Sequence, residues 1–228
     1  MSGAEHVVLL HGLFRGPSSM ARLARRLREA GFRVHNLRYP SRPRSLEQAE
    51  EAVAGQLRDL GLDCVERLHW VTYSLGGIVA RSLLTAPGER PRGRLVMLAT
   101  PNHGSEIVDA IGGSAIFRLV FGELATQLGT SGEGLPQRLA VPDTDIGIIA
   151  GCRWINPVGR LLLTSEHDGS VTIASTRLER MADHLVVPRT HTFLMNGPEV
   201  AREVAHFLRH GRFAGSPAPL GEGRIRSV

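Results

Sequence analysis

Short apolar runs alternate along the chain with segments whose apolar residues recur at helical spacing. Val7–Leu10 is a continuous run ending at His11-Gly12, the pattern of a strand buried on both faces. Pro17 then opens a helix with Met20, Leu23, Ala24 and Leu27 on one stripe, while Arg22, Arg25, Arg26 and Arg28 fall mostly off it. Gly31 suits its C-terminal end. Phe32 to Tyr39 reads as the next strand, followed by the turn-rich Pro40-Ser41-Arg42-Pro43. Ser45 with Gln48 forms a capping box for a helix carrying Val53, Leu57 and Leu60, closed near Gly61. Leu68–Thr72 is a strand, Leu75–Leu84 a helix stopped by Pro87, and Leu95–Ala99 a strand. Ile146–Ala150 and Leu185–Val187 are two more strands, and Pro198 opens a last helix through Val200, Val204, Phe207 and Leu208.

Strands alternating with helices predict an α/β fold: a mainly parallel sheet of about six strands covered by helices on both faces. One domain over residues 1–211 is expected, with a cap-like insertion at about 105–142 where the alternation breaks. Long insertions after a strand are often lids or binding elements; packing as an extra helix is the plainer alternative. Residues 212–228, rich in Gly, Pro and Arg, are expected to be a disordered tail.

Composition narrows the classes. Of 228 residues, 42% are hydrophobic and 21% charged, ordinary for a globular domain and incompatible with disorder over most of the length. No apolar run spans a bilayer. Met1–Glu5 has neither a basic stretch nor a long apolar one, so no secretory signal is expected. Cys64 and Cys152 are therefore expected as free thiols in a reducing compartment, the cytoplasm. No Cys/His cluster has zinc spacing, so no metal is expected. The charge of +5 comes with 27 basic side chains, every one an arginine. A basic chain raises the question of nucleic acid.

The strongest local signal is Leu68-His69-Trp70-Val71-Thr72-Tyr73-Ser74-Leu75-Gly76-Gly77-Ile78-Val79. A strand runs straight into a helix through a turn centred on Ser74, the context of the G-x-S-x-G nucleophile elbow. Gly76 meets the downstream requirement; Thr72 stands where the upstream glycine would be. The helix N-terminus aims backbone N–H groups at developing negative charge. The second signal is His11-Gly12-Leu13-Phe14 at the end of the first strand. In such an arrangement the N–H of Leu13 and the N–H of Leu75 form the oxyanion hole, with His11 holding the loop. A serine nucleophile needs a base and an orienting acid, in the chain order Ser, Asp or Glu, His. His191 lies in the loop leaving the last strand, where ligands bind in open α/β sheets. His184 is at the wrong end of that strand and His206 is inside the last helix. Asp168, in Asp168-Gly169, is the favoured acid because Asp-Gly makes a tight turn that can aim the carboxylate. Glu166 is the alternative.

Together these residues resemble the α/β-hydrolase superfamily, and within it the bacterial lipase/esterase-like group related to PGAP1-like hydrolases. The resemblance rests on His11-Gly12-Leu13, Thr72 to Gly77, Thr100-Pro101-Asn102-His103-Gly104-Ser105, Asp168 to Val171 and His191, spanning position 7 to about 209. It implies Ser74 as nucleophile, Asp168 as acid and His191 as base, with Leu13 and Leu75 as backbone donors. Tyr73 replaces a histidine common before the serine in that group. The chain looks like a minimal version that begins directly at the strand before His11-Gly12. The pocket is expected to involve Phe14, Tyr73, Asn102 and His103, although a structural turn is the plainer reading for the last two. Leu119, Val120, Phe121 and Leu124 of the insertion either face an acyl chain or belong to the core.

The reading is a serine hydrolase of carboxylic esters, esterase or lipase-like, acting through an acyl-enzyme. The alternatives are a thioesterase, amidase or acyltransferase with the same machinery, and a non-catalytic scaffold binding an anionic partner. No cofactor is implied, because His11-Gly12-Leu13-Phe14-Arg15-Gly16 lacks the Gly-x-Gly-x-x-Gly dinucleotide fingerprint. None of the arginines is needed by the triad, and most fall on outer helix faces or in the tail. Nucleic acid is therefore not expected as a partner. Peripheral contact with anionic lipid interfaces is the remaining role for the charge.

Overall fold

The computed structural model describes residues 5–87, 92–155, 162–163 and 165–216. Six strands form one sheet in the order β2-β1-β3-β4-β5-β6, all neighbours parallel: β1 (His6–Leu10), β2 (Arg33–Asn36), β3 (Leu68–Tyr73), β4 (Leu95–Leu98), β5 (Ile146–Gly151) and β6 (Asp183–Val187). The last strand starts two residues before the run Leu185–Val187 that marks it in the sequence, so His184 lies within it.

Alternation along the strands divides the core into two layers. Val7, Leu9, Val71, Val96 and Ile149 face α1 (Pro17–Glu29) and the C-terminal helix, which bring Met20, Leu23, Val204 and Phe207. Val8, Leu10, Trp70, Met97 and Ile148 face α2 (Leu46–Asp59) and α3 (Leu75–Thr85), which bring Val53, Ile78 and Val79. Burial of all six residues of β3 follows from cover on both faces. Pro17 occupies the first turn of α1, where a missing N–H costs nothing. Ser45 Oγ accepts from Gln48 N–H at the start of α2.

The order of connections decides where a site can form. The chain moves outward from β1 to β2, then crosses to the other side of β1 to make β3. This reversal opens a crevice beyond the carboxyl ends of β1 and β3. Leu10 pairs with Thr72, so the two strands finish level and deliver His11–Leu13 beside Tyr73–Leu75.

Between β4 and β5 the chain makes four short helices: α4 (Glu106–Ile111), α5 (Ala115–Phe121), α6 (Glu123–Thr126) and α7 (Leu135–Arg138). After β5, α8 (Ile173–Thr176) leads to β6, and a 3-10 turn (His191–Asn196) leads to α9 (Pro198–His210). Residues 212–216, expected within the tail, are held on the domain. Phe213 is buried against Phe207, and its N–H donates to Asp183. Ser216 Oγ donates to the same carboxylate. A single aromatic anchor thus holds residues 212–216 on the domain, and 217–228 lie outside the described residues. Cys64 and Cys152 are both unpaired. Among the described residues no helix is long and apolar enough to cross a membrane.

Candidate active site

Ser74 sits at φ +52°, ψ −120°, a backbone conformation that side-chain-bearing residues rarely adopt. The strain comes from turning a fully buried strand into a helix within one residue. The turn is possible because neighbouring glycines let backbones approach. A Cβ on Gly76 would lie 2.7 Å from the carbonyl oxygens of Leu10 and His11, and one on Gly12 would lie 2.9 Å from the Tyr73 ring. The β1 loop is thereby packed directly on the nucleophile turn. Thr72, where the usual pattern has glycine, is buried in β3 without displacing it.

Ser74 Oγ lies 3.2 Å from His191 Nε2, and His191 Nδ1 lies 2.7 Å from Asp168 Oδ2. Asp168 is held from several sides. Its Oδ1 accepts the N–H groups of Ser170 and Val171 at 3.0 and 2.9 Å, and its carbonyl accepts the His191 N–H at 2.9 Å. A carboxylate can only accept, so it fixes the proton on His191 Nδ1 and leaves Nε2 as the acceptor facing Ser74. Glu166, the alternative acid, is exposed, and its backbone carbonyl accepts the Ile173 N–H.

Tyr73 points the other way along the strand and is buried. Its hydroxyl donates to the His191 carbonyl at 2.9 Å, and its ring lies 5.1 Å from the imidazole centroid. Burial raises its pKa, so the phenol keeps the proton this bond requires. Tyr73 therefore fastens the histidine loop to β3. The Leu13 and Leu75 N–H groups have no partner among the described residues. His11 Nδ1 lies 3.0 Å from the Gly12 carbonyl, and the ring stacks on Tyr39 at 4.3 Å. The hydrogen bond reaches the peptide group whose N–H belongs to Leu13, so His11 sets the plane of that amide. Burial lowers the His11 pKa and keeps it neutral.

A cavity of about 560 Å³ opens over Ser74 and His191. Leu13, Phe14 and Tyr73 line it. Ile107, Val108, Ile111, Phe117, Phe121 and Leu128 form its apolar wall, all from the insertion. Asn102 and His103 are not among the lining residues. Asn102 is buried and spends its amide on structure: Nδ2 donates to the Thr176 carbonyl at 2.7 Å, and its oxygens accept from Arg81. His103 is exposed, and its backbone bonds to Ser175 and Gln137. The two residues anchor the loop after β4 to the segment following Asp168.

The four insertion residues left open in the sequence split three ways. Phe121 lines the cavity, Leu124 is core, and Leu119 and Val120 are exposed. Missed altogether were Ile107, Val108 and Ile111, whose spacing over one short helix is the signal that marks a common face. Arg81 was also missed. It departs from the expectation of arginines on outer faces, being buried with the Leu139, Ala140 and Asn102 carbonyls as partners. Desolvation lowers its pKa to about 10. Among the described residues no group of three or more His, Cys, Asp or Glu is placed to hold a metal ion.

The sequence matches the family described as "Alpha/beta hydrolase family" over residues 7–214. The chain belongs to that family. No curated protein matches it in sequence. Solved structures similar to this α/β hydrolase include the mature lipase BlEst2 of Bacillus licheniformis, at TM-score 0.62 and 20% identity, covering 86% of this chain and 89% of that one. Phospholipase PlaB of Legionella pneumophila, in complex with thio-NAD, aligns at TM-score 0.68 and 16% identity over 89% of this chain and 56% of that one. The metagenomic carboxyl esterase MGS0156 aligns at 0.65 and 13%, covering 84% and 65%. At these identities the likeness is one of fold.

Proposed function

We propose that this α/β hydrolase is a serine hydrolase cleaving carboxylic esters through a Ser74–His191–Asp168 triad. The observation that carries the reading is the hydrogen-bonded series from Ser74 Oγ to His191 to Asp168 at the mouth of an apolar cavity. In this reading Ser74 Oγ attacks the ester carbonyl carbon while its proton passes to His191 Nε2. The carbonyl electrons move onto oxygen, which the Leu13 and Leu75 N–H groups receive. The oxyanion collapses, the bond to the alcohol breaks, and His191 returns the proton to the leaving alcohol. Water, activated by His191, then releases the acid and frees Ser74. Asp168 stays ionised and holds the imidazole in the tautomer that each step needs. The acyl chain lies along the insertion wall. The lipase and esterase names among the structural neighbours support ester or lipid substrates, and the unpaired cysteines support a reducing compartment, the cytoplasm.

The test is hydrolysis of p-nitrophenyl esters by the protein and by Ser74→Ala. The variant is expected to lose about 10³-fold or more in kcat. Equal turnover by both proteins would overturn the reading.

A further inference from the structure

Resting on the ester-hydrolase reading, we propose that Arg15 selects substrates whose leaving alcohol carries an anionic group, a carboxylate or a phosphate. Arg15 is the one arginine among the residues lining the cavity, whose other ionisable side chains are His191 and the Tyr73 phenol. It lies two residues beyond Leu13, where its N–H closes a turn onto the Gly12 carbonyl at 3.2 Å. Phe14 within that turn has φ +54°, and the turn brings Arg15 back to the cavity beside Tyr73 and Ser74.

Other arginines contrast with this one. Arg94 and Arg189 pair with carboxylates, while Arg42, Arg81 and Arg92 donate to backbone carbonyls. The Arg15 guanidinium has neither kind of partner among the described residues, although the residue is half-buried. A half-buried cation without a protein partner favours an anion supplied by a ligand. The cavity's shape says which part of the ester carries it. The insertion provides a continuous apolar wall for the acyl chain. Arg15 adds its charge to a polar lining of Ser105, Ser170 and Thr192, and the proposal assigns the alcohol half of the ester to that side.

The experiment compares phenyl octanoate, 4-carboxyphenyl octanoate and 4-phosphonophenyl octanoate as substrates of the protein and of Arg15→Lys, Arg15→Gln and Arg15→Glu. The readout is the ratio of kcat/KM for an anionic ester to that for the neutral one within each protein. The protein is expected to favour an anionic ester roughly tenfold or more. Arg15→Lys keeps part of the preference, Arg15→Gln brings the ratio towards one, and Arg15→Glu takes it below one. Preference for the phosphonate over the carboxylate assigns the site to phosphate-bearing alcohols, and the reverse assigns it to carboxylates. The same ratio in all four proteins overturns the proposal while leaving the hydrolase reading intact. Binding of two inert ethers, 4-(hexyloxy)benzoate and 4-(hexyloxy)benzamide, separates the other case. Arg15-dependent preference for the benzoate without turnover of any ester upholds the anion site and refutes ester hydrolysis.

Discussion

The two sides of the candidate active-site cavity are built in different ways. The side carrying Ser74, Asp168 and His191 stands on strand ends and is fixed by backbone bonds. Ser74 N–H donates to the Leu98 carbonyl, Asp168 takes two backbone amides, and Tyr73 ties down the His191 loop. The other side is the insertion. Its helices are one or two turns long, too short to be stable without tertiary support. Helix α4 has no buried residue, and Leu119 on α5 is 79% exposed. Leu124 and Leu128 seat the insertion in the core, and side-chain contacts hold the rest of this wall. Phe117 stacks on Phe121, Phe121 meets Phe14 edge-on, and Arg42 donates to the Leu119 and Val120 carbonyls. In the proposed reaction, chemistry rests on the strand-end side, where small errors of position are costly. In the same reading, the choice of acyl chain rests on the insertion, which can change without disturbing the sheet.

Variants on the two sides should separate these roles. The largest effect is expected for Asp168→Asn. The amide would present an N–H to His191 Nδ1, forcing the proton to Nε2 and leaving Ser74 without a base. A kcat loss of about 10³- to 10⁴-fold is expected, independent of acyl length. A loss that varied strongly with chain length would break the division. Next comes Phe117→Ala on the insertion. It removes apolar surface that the far end of a chain would touch, each lost methylene contact being worth up to about 0.8 kcal/mol. The kcat/KM for octanoyl esters should fall about tenfold further than for acetyl esters. An equal fall for both would show that this wall does not hold the chain.

The smallest effect concerns stability below the site. His184 Nε2 lies 3.0 Å from Thr176 Oγ1 on α8, and burial lowers its pKa from 6.5 to about 4. A depressed folded-state pKa means that the unfolded chain binds the proton more readily. The stability linked to neutral His184 is thus present above pH about 6.5 and is lost as pH falls towards 4. The protein should lose a few degrees of Tm more than His184→Gln between these limits. Parallel Tm curves would contradict it.

The contrast between the two sides also separates what could be read in the sequence from what could not. Parallel strands buried on both faces announce themselves as runs such as Val7–Leu10, and the turn at Ser74 is local, so both were readable in one dimension. His191 and Asp168 were placed by strand order and turn chemistry, which are also short-range. The insertion is different. Phe121 and Leu124 are adjacent on the pattern, yet one lines the cavity and the other joins the core, because tertiary packing assigns them. Arg81 looks like a surface arginine until Asn102, Leu139 and Ala140 close over it. Asn102 looks like a pocket residue until Thr176 takes its amide. Phe213 anchors a segment whose Gly- and Pro-rich neighbours suggest disorder.

The central claim is that Ser74 is a nucleophile activated by His191. Labelling with a fluorophosphonate probe, read by intact mass and peptide mapping, tests it most directly. One adduct per chain on Ser74, lost in His191→Ala, is the predicted result. Absence of an adduct in the folded protein, or an adduct on another residue, would contradict it.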